Sequence, residues 1–204
     1  MEIKDKILQT AQELFFKYGI RSISMDDIAK HLSISKKTIY LSYKDKDEIV
    51  HTLIEKKCMN DLKYFEGIHK VSGNVIEEMF SIMNHLGKII NEMNPGMFYD
   101  LQKYHSHSWN VFKEFREEHI TKMVEEMLQR GIKQGFIRTD INSKILARMR
   151  MAQVEIGFNP TVFPPDKFKL LEVQLVMLEH FLYGICTLKG HRYINKYKQI
   201  TEEE

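Results

Sequence analysis

Residues 24–48 read SMDDIAKHLSISKKTIYLSYKDKDE and contain three signals for the start of a helix. Ser24 and Asp27 have the spacing of a capping box, in which each side chain accepts a hydrogen bond from the other residue's backbone amide. Ser35 is a favourable N-cap residue, and a further capping box starts at Asp45. The stretch therefore predicts a short helix, a tight turn, a second short helix and the start of a longer helix.

An amphipathic helix precedes this stretch, because apolar residues recur every three or four positions between Ile3 and Tyr18 and Gly19 follows them. The two short helices then predict a helix-turn-helix, whose second helix enters the major groove of DNA. Residues 30–46 carry a local net charge of +4, from five lysines and one aspartate, whereas the whole chain carries +2. Such a patch is typical of phosphate binding. A helical hairpin with a solvated polar face is the alternative.

An ordered set of residues spans the first 49 positions: Ile7, Ala11, Leu14-Phe15, Tyr18-Gly19, Ser24-Met25-Asp26-Asp27-Ile28-Ala29, Ser35-Lys36-Lys37-Thr38-Ile39-Tyr40, Tyr43 and Lys46-Asp47-Glu48-Ile49. On this set, residues 1–60 resemble the N-terminal domain of the TetR family of bacterial transcriptional regulators. Family members usually have a small residue at the position of Lys37 and phenylalanine at the position of Tyr43. The resemblance covers less than a third of the chain.

The resemblance implies a role for each matching residue. The start of the helix after Ser24 would bind a phosphate, three residues from Lys36 to Thr38 would face bases, and Lys46 would hold another phosphate. Leu41 would be a core residue. The expected DNA-binding residues are Ser24, Ser35, Lys36, Lys37, Thr38, Tyr40, Ser42, Tyr43 and Lys46. Tyr40 and Ser42 would contact the DNA backbone, and Tyr43 would pack inside with its hydroxyl free for a phosphate.

The rest of the chain also has helical periodicity, so we expect an all-α protein. The predicted organisation is a three-helix DNA-binding domain at 1–60, with its helix-turn-helix at 24–43, and a helical ligand-binding and dimerisation domain at 61–204. The pattern predicts one long helix from Trp109 to Gly131 and two helices near 142–158 and 167–189. The last 14 residues, which end in Glu202-Glu203-Glu204, are expected to form a frayed tail.

Methionine and aromatic residues concentrate between positions 74 and 128. Because methionine adapts to irregular shapes, this composition favours an apolar ligand cavity between helices, as the family resemblance also implies. The alternative is that these residues simply fill the core. The expected ligand-binding residues are Met79, Met83, Met97, Tyr104, His105, Trp109, Phe112 and Met123.

Two apolar stripes lie on the helices near the C-terminus, and they could meet their copies across a two-fold axis as a four-helix bundle. Packing within one chain is the alternative, and the family resemblance favours the dimer. The expected dimer-interface residues are Ile145, Met149, Leu171, Leu175, Leu178 and Leu182.

Other function classes lack support in the sequence. No catalytic or cofactor-binding motif is present, and His105 and His107 would point away from each other on a helix, so we expect no enzyme, cofactor or metal site. The distant cysteines Cys58 and Cys186 are expected to be reduced thiols of a cytoplasmic protein. No apolar stretch is long enough to span a membrane.

We therefore expect a homodimeric repressor that binds operator DNA and is released by a small apolar or aromatic effector. The alternative is a helical ligand-binding protein or enzyme whose basic hairpin is incidental.

Overall fold

The computed structural model describes residues 2–94 and 96–200. Within these ranges the fold is all-α, as predicted, with eleven α-helices, one π-helical turn and no β-strand. The helices are α1 (Ile3–Tyr18), α2 (Met25–Leu32), α3 (Lys36–Tyr40), α4 (Lys46–Val71), α5 (Val75–Glu92), α6 (Met97–Tyr104), α7 (Ser106–Phe115), α8 (Thr121–Lys133), α9 (Ser143–Gly157), α10 (Leu170–Ile185) and α11 (Leu188–Lys198).

Asparagine side chains cap two of the helices. At the start of α5, Asn74 Oδ1 accepts hydrogen bonds from the amides of Ile76 and Glu77 at 3.0 and 3.1 Å. At the start of α9, Asn142 Oδ1 accepts from the amide of Ile145 at 3.1 Å. These bonds satisfy amide groups that have no partner within the helix.

The predicted long helix from Trp109 to Gly131 is interrupted. Helix α7 ends at Phe115, a π-helical turn covers Arg116–Ile120, and α8 starts at Thr121. The hydroxyl of Thr121 donates to the carbonyl of Arg116 at 3.0 Å. The two residues are five positions apart, so the Thr121 side chain supplies the hydrogen bond for a backbone carbonyl in the widened π-helical turn.

The predicted helix over 167–189 is wrong in its bounds. Helix α10 ends at Ile185, the next residue is extended, and Thr187 caps α11 by accepting from the amide of Gly190 at 3.2 Å.

The predicted frayed tail is also wrong within the described residues, because α11 continues to Lys198 and buries Ile194. Residues 201–204 of that tail lie outside the described residues.

The chain divides into two compact units. Unit 1 contains the residues up to Leu62 together with Asn91–Phe115, and unit 2 contains Lys63–Ile90 and the chain from Arg116 onward. Each unit has its own apolar core. Fully buried residues of unit 1 include Ile7, Ile28, Ile39 and Ile49, and those of unit 2 include Ile76, Leu128, Leu182 and Ile194. The functional division at residue 60 stays a prediction.

Candidate nucleic-acid interface

Helix α2 begins at the predicted capping box. Ser24 Oγ accepts from the Asp27 amide at 3.2 Å, while Asp27 Oδ2 accepts from the Ser24 amide at 2.9 Å and from its hydroxyl at 2.6 Å. These hydrogen bonds keep the pKa of the Asp27 carboxyl below its ordinary value, because they stabilise the carboxylate. The Ser24 hydroxyl therefore already donates within the protein, and only the backbone of this helix start is left to receive a phosphate.

A left-handed residue makes the turn between α2 and α3. Ser33 has φ 55° and ψ 38°, and the following amide, of Ile34, donates back to the carbonyl of Ala29 at 3.0 Å. Ser35 then caps α3, since its Oγ accepts from the Thr38 amide at 3.1 Å and lies 2.8 Å from Thr38 Oγ1. The cap at Ser35 is thus confirmed, and α2 and α3 form a helix-turn-helix.

Helix α3 is anchored on one side and exposed on the other. Ile39 is fully buried in the core of unit 1, whereas Lys37 and Tyr40 are exposed. Leu41 exposes 80% of its surface, so the prediction that it is a core residue is wrong. It lies two positions after Ile39, which is about 200° around a helix, and therefore faces away from the core. Ser42 is half-buried.

Lys36 forms an ion pair at the start of the motif. Its Nζ lies 2.8 Å from Asp26 Oδ1 in the first turn of α2, and both side chains are about half exposed to solvent. The hydrogen bond to Asp26 raises the pKa of Lys36. Because the pair is exposed, it contributes little to stability. Its effect is to hold the amine of Lys36 beside α2, so that a base or phosphate contact requires the pair to open.

The structure corrects the expected phosphate contact of Tyr43. Tyr43 is 2% exposed, and its hydroxyl faces the carbonyl of Lys4 at 3.5 Å. Burial raises the pKa of this phenol. Tyr43 is therefore a core residue between α1 and α4, and its hydroxyl is not available to DNA.

Lys46 is likewise engaged within the protein. Its Nζ donates to the carbonyls of Ile20 and Ile23 at 3.0 and 2.9 Å, in the turn between α1 and α2. Burial lowers the pKa of this lysine. The expected phosphate contact is thus replaced by a link from the first turn of α4 to the preceding turn. The sequence shows a lysine in a basic patch, but it does not show which carbonyls lie within its reach.

Known proteins match both the motif and the fold. Residues 7–53 match the family model described as bacterial regulatory proteins, tetR family. The uncharacterised HTH-type transcriptional regulator YvaF of Bacillus subtilis (strain 168) is 26% identical over 166 residues, which are 80% of this chain and 86% of that protein.

Solved structures share the whole architecture. A TetR-family transcriptional regulator from Marinobacter aquaeolei VT8 has a TM-score of 0.76 and 17% identity, and the match covers 99% of this chain and 100% of that one. The transcriptional regulator FadR from Bacillus subtilis, solved in complex with stearoyl-CoA, has a TM-score of 0.65 and 19% identity over 89% of this chain and 98% of that one. The chain therefore resembles transcriptional regulators of the TetR family in its N-terminal motif and in its fold.

Five of the expected ligand-binding residues belong to unit 1. Met97, Trp109 and Phe112 are partly buried against the core that supports the DNA-binding helices. His105 is buried with its Nδ1 2.7 Å from Asp47 Oδ1, at the start of α4. Tyr104 is exposed. The other four side chains are therefore packing partners within unit 1, which contains the helix-turn-helix.

The other three expected ligand-binding residues belong to unit 2. Met79 and Met83 are buried in its core, and Met123 is partly buried against the same core. Unit 2 also has an open groove of about 350 Å³ that the sequence did not suggest. It is lined by Phe136, Lys189, Arg192, Tyr193 and Lys196.

The expected dimer stripes differ in exposure. Ile145 and Met149 on α9 are 62% and 42% exposed, and Leu171 and Leu175 on α10 are half-buried. Leu178 and Leu182 are 5% and 0% exposed, because they face the core of their own unit. Those two leucines therefore have no surface to offer a partner. The exposed apolar residue that sequence reasoning missed on α10 is Val176, at 60%.

The histidines near residue 105 do not lie along one helix as the sequence argument assumed. His105 ends α6 with non-helical dihedral angles, and His107 lies in α7 with its ring stacked on His51 at 4.4 Å. Within residues 2–94 and 96–200, no three His, Cys, Asp or Glu side chains form a group that could hold a metal ion. In the same ranges, every helix is too short or too polar to cross a membrane.

Proposed function

We propose that this regulator is a homodimeric repressor that binds double-stranded operator DNA through α3 and is released by a small apolar ligand. One observation carries the DNA part: the exposed face of α3 and its end presents Lys37, Tyr40 and Leu41, while Ile39 anchors the helix in the core. A helix held in this way can enter the major groove. There a lysine can donate to guanine, and an apolar side chain can contact the methyl group of thymine.

The proposed contacts differ in strength along the motif. Lys37 and Thr38 would contact bases, and Tyr40 and Ser42 would contact the sugar-phosphate backbone. Lys36 would contribute less, because its ion pair with Asp26 must open first. The start of α2 after its capping box would bind a phosphate through backbone amides.

The proposed dimer interface is the exposed apolar part of α9 and α10. Ile145 and Met149 lie one turn apart on α9, and Val176 is exposed on α10, with Leu171 and Leu175 half-buried. Burial of these residues against a second copy would remove apolar surface from water. A two-fold dimer would read paired half-sites about one helical turn of DNA apart, or a multiple of it, so the operator would be close to palindromic.

The proposed effector has an apolar body. The methionine-rich core of unit 2 and the aromatic residues packed in unit 1 support this, and FadR from Bacillus subtilis was solved with stearoyl-CoA. A repressor acts where the chromosome is, so we place this one in the cytoplasm, and we propose no catalytic role.

Selection of DNA fragments by the purified full-length protein tests the proposal. We expect enrichment of one near-palindromic sequence, and we expect Lys37→Ala to relax the preference at one base position in each half-site by about 1–3 kcal/mol. Lys122→Ala is the matched control, because it removes one exposed lysine from α8. Failure to enrich any sequence, or an equal effect of the two substitutions, would contradict the proposal.

A further inference from the structure

Arg150 is a buried cation in the middle of α9. It is 7% exposed, and its Nη1 is buried without a hydrogen-bond partner. Burial lowers the pKa of Arg150 to about 10, and no neighbouring charge opposes that shift. Arginine is almost never buried in this way unless it is paired, because the charged group loses its water.

Other arginines of unit 2 have carboxylate partners. Arg130 Nη2 donates to both carboxylate oxygens of Glu78, at 2.9 and 2.8 Å. Arg116 Nη1 donates to Glu155 Oε2 at 2.8 Å. Within the described ranges Arg150 forms no such ion pair, although it is more deeply buried than either of them. Among the described residues, no carboxylate compensates the buried charge of Arg150.

Buried apolar residues and a second unpartnered polar group lie near Arg150 along α9. One turn before it on the same face, Ala147 is fully buried in the apolar core of unit 2, and the adjacent Met151 is buried too. One turn after it, Gln153 has a buried Oε1 that also lacks a hydrogen-bond partner. Two polar groups without partners thus lie one turn apart, next to a core that also contains Met79 and Met83.

We propose that Arg150 is the anion-binding residue of a ligand site in unit 2, and that the ligand is an amphiphile with an apolar body and a carboxylate or phosphate head. The guanidinium donates to the head in a charge-assisted pair, and the apolar body packs against the methionine-rich core. This inference deepens the proposed function, because such a ligand would be the effector.

Three probes with the same ten-carbon tail test the charge preference: decanoate, decyl phosphate and the neutral decanol. Binding to the full-length protein is measured by titration calorimetry at pH 7.5, below the micelle concentration of each probe. We expect at least one anionic probe to bind about tenfold to a hundredfold more tightly than decanol. Whichever of decanoate and decyl phosphate has the lower dissociation constant then identifies the preferred head group.

Two substitutions test the residue. Arg150→Met keeps an unbranched but shorter side chain and removes the guanidinium with its charge, so it should abolish the preference for the anionic probe and leave decanol binding unchanged. Arg150→Lys keeps the charge and should retain part of the preference. The matched control is Arg148→Met, because Arg148 lies two positions away on α9 with its side chain 67% exposed. It should bind all three probes as the wild type does.

Thermal unfolding without ligand gives a second readout. Arg150→Met should unfold at a higher temperature than the wild type, because it removes an uncompensated buried charge. An arginine with a purely structural role would instead be needed for stability, and its loss would lower that temperature. The proposal is overturned if the wild type binds no probe, if it binds decanol as tightly as both anions, or if Arg150→Met retains the anion preference.

Release of an operator fragment by the probes separates this inference from the proposed function. Charge-dependent binding without DNA release would support the site and refute its role as the effector site. DNA release by an apolar compound that is equally effective on wild type and Arg150→Met would support the repressor and refute the site.

Discussion

Replacing Lys46 with methionine tests whether this lysine stabilises the protein or binds DNA. Its Nζ donates to the carbonyls of Ile20 and Ile23 at 3.0 and 2.9 Å, so it links the first turn of α4 to the turn between α1 and α2. Methionine fills the same space but cannot donate a hydrogen bond. We therefore expect Lys46→Met to destabilise unit 1.

The expected loss follows from the two hydrogen bonds. A bond from a charged donor contributes about 1.5–3 kcal/mol to the free energy of unfolding. Part of this is offset, because the amine is partly buried and its pKa is lowered as a result. We expect a net loss of about 2 kcal/mol. For a unit of this size, the midpoint of thermal unfolding should fall by about 8–16 °C.

The assay combines thermal unfolding of the full-length variant, followed by circular dichroism, with hydrogen exchange at the backbone amides of residues 20–30. Exchange there should accelerate, since the turn loses its donors. Lys44→Met is the control, because Lys44 is exposed and lies 4.0 Å from Asp45. A surface pair of this kind contributes little, so the control should change stability by less than about 0.5 kcal/mol.

The salt dependence of DNA binding distinguishes the two roles of Lys46. Below its melting temperature, Lys46→Met should show the same slope of log affinity against log salt concentration as the wild type. A variant as stable as the wild type whose slope is smaller by about 0.9 would refute the structural role. It would instead support the phosphate contact that the sequence predicts.

Three further outcomes are expected. Ser24→Ala removes the hydroxyl bond that is the largest cause of the lowered pKa of Asp27, while the bond from the backbone amide of residue 24 remains. A carboxyl whose pKa is lowered in the folded state stabilises the fold at pH values above its ordinary pKa of about 4. Urea unfolding should therefore find the variant less stable at pH 7, with the difference shrinking as the pH falls through the folded-state pKa. Glutamate at both Ile145 and Met149 should give folded monomers in sedimentation velocity, whereas an unchanged dimer would place the interface elsewhere. Burial raises the pKa of the Cys58 thiol to about 11, so Cys58 should resist a disulfide reagent at pH 8 until urea is added. Rapid reaction of the native protein would contradict the burial of this thiol.

Helix starts could be predicted from the sequence because their chemistry is local. Ser24, Ser35 and Asn142 each bond an amide three residues later, so the donor and the acceptor lie within one short stretch. The helix-turn-helix follows from two such starts that are separated by a tight turn. The TetR-like order of residues adds specificity that caps alone do not have.

The surface against which an apolar stripe packs could not be predicted, because periodicity shows only that a helix has an apolar face. Leu178 and Leu182 continue the stripe of Leu171 and Leu175, yet they lie in the core of their own unit. The partner of a stripe is set by long-range packing. For the same reason the sequence did not show that Lys46 reaches two carbonyls more than twenty residues earlier.

The break after α10 lacks the usual signals. Neither proline nor glycine follows Ile185, and only Thr187, a modest N-cap residue, marks the start of α11. The carbonyl of Phe136 accepts from the amide of Thr187 at 2.9 Å, so a distant residue bonds the backbone at this break. Arg150 was also missed, since a single arginine between two methionines resembles a solvated position.

Asn94 and residues 96–105 are joined to the DNA-binding helices at several points within unit 1. The amide of Asn94 donates to the carbonyl of Phe16 near the end of α1, at 2.7 Å. Asp100 Oδ2 accepts from the amide of Arg21 at 3.0 Å, in the turn before α2. His105, as described above, pairs with the first turn of α4. The segment therefore contacts three elements that set the position of α2 and α3.

This packing changes what a ligand at Trp109 or Phe112 would do. Both side chains pack on the same core as Ile39, the buried residue of α3. A ligand there would alter the support of the recognition helix within one unit. It would weaken DNA binding only to the extent that it prefers the altered packing. A preference of about 1–3 kcal/mol is sufficient, since it lowers DNA affinity by about 5–150-fold. By the same reasoning, a cavity made at Phe112 would change DNA binding, because Phe112 packs on the core that contains Ile39.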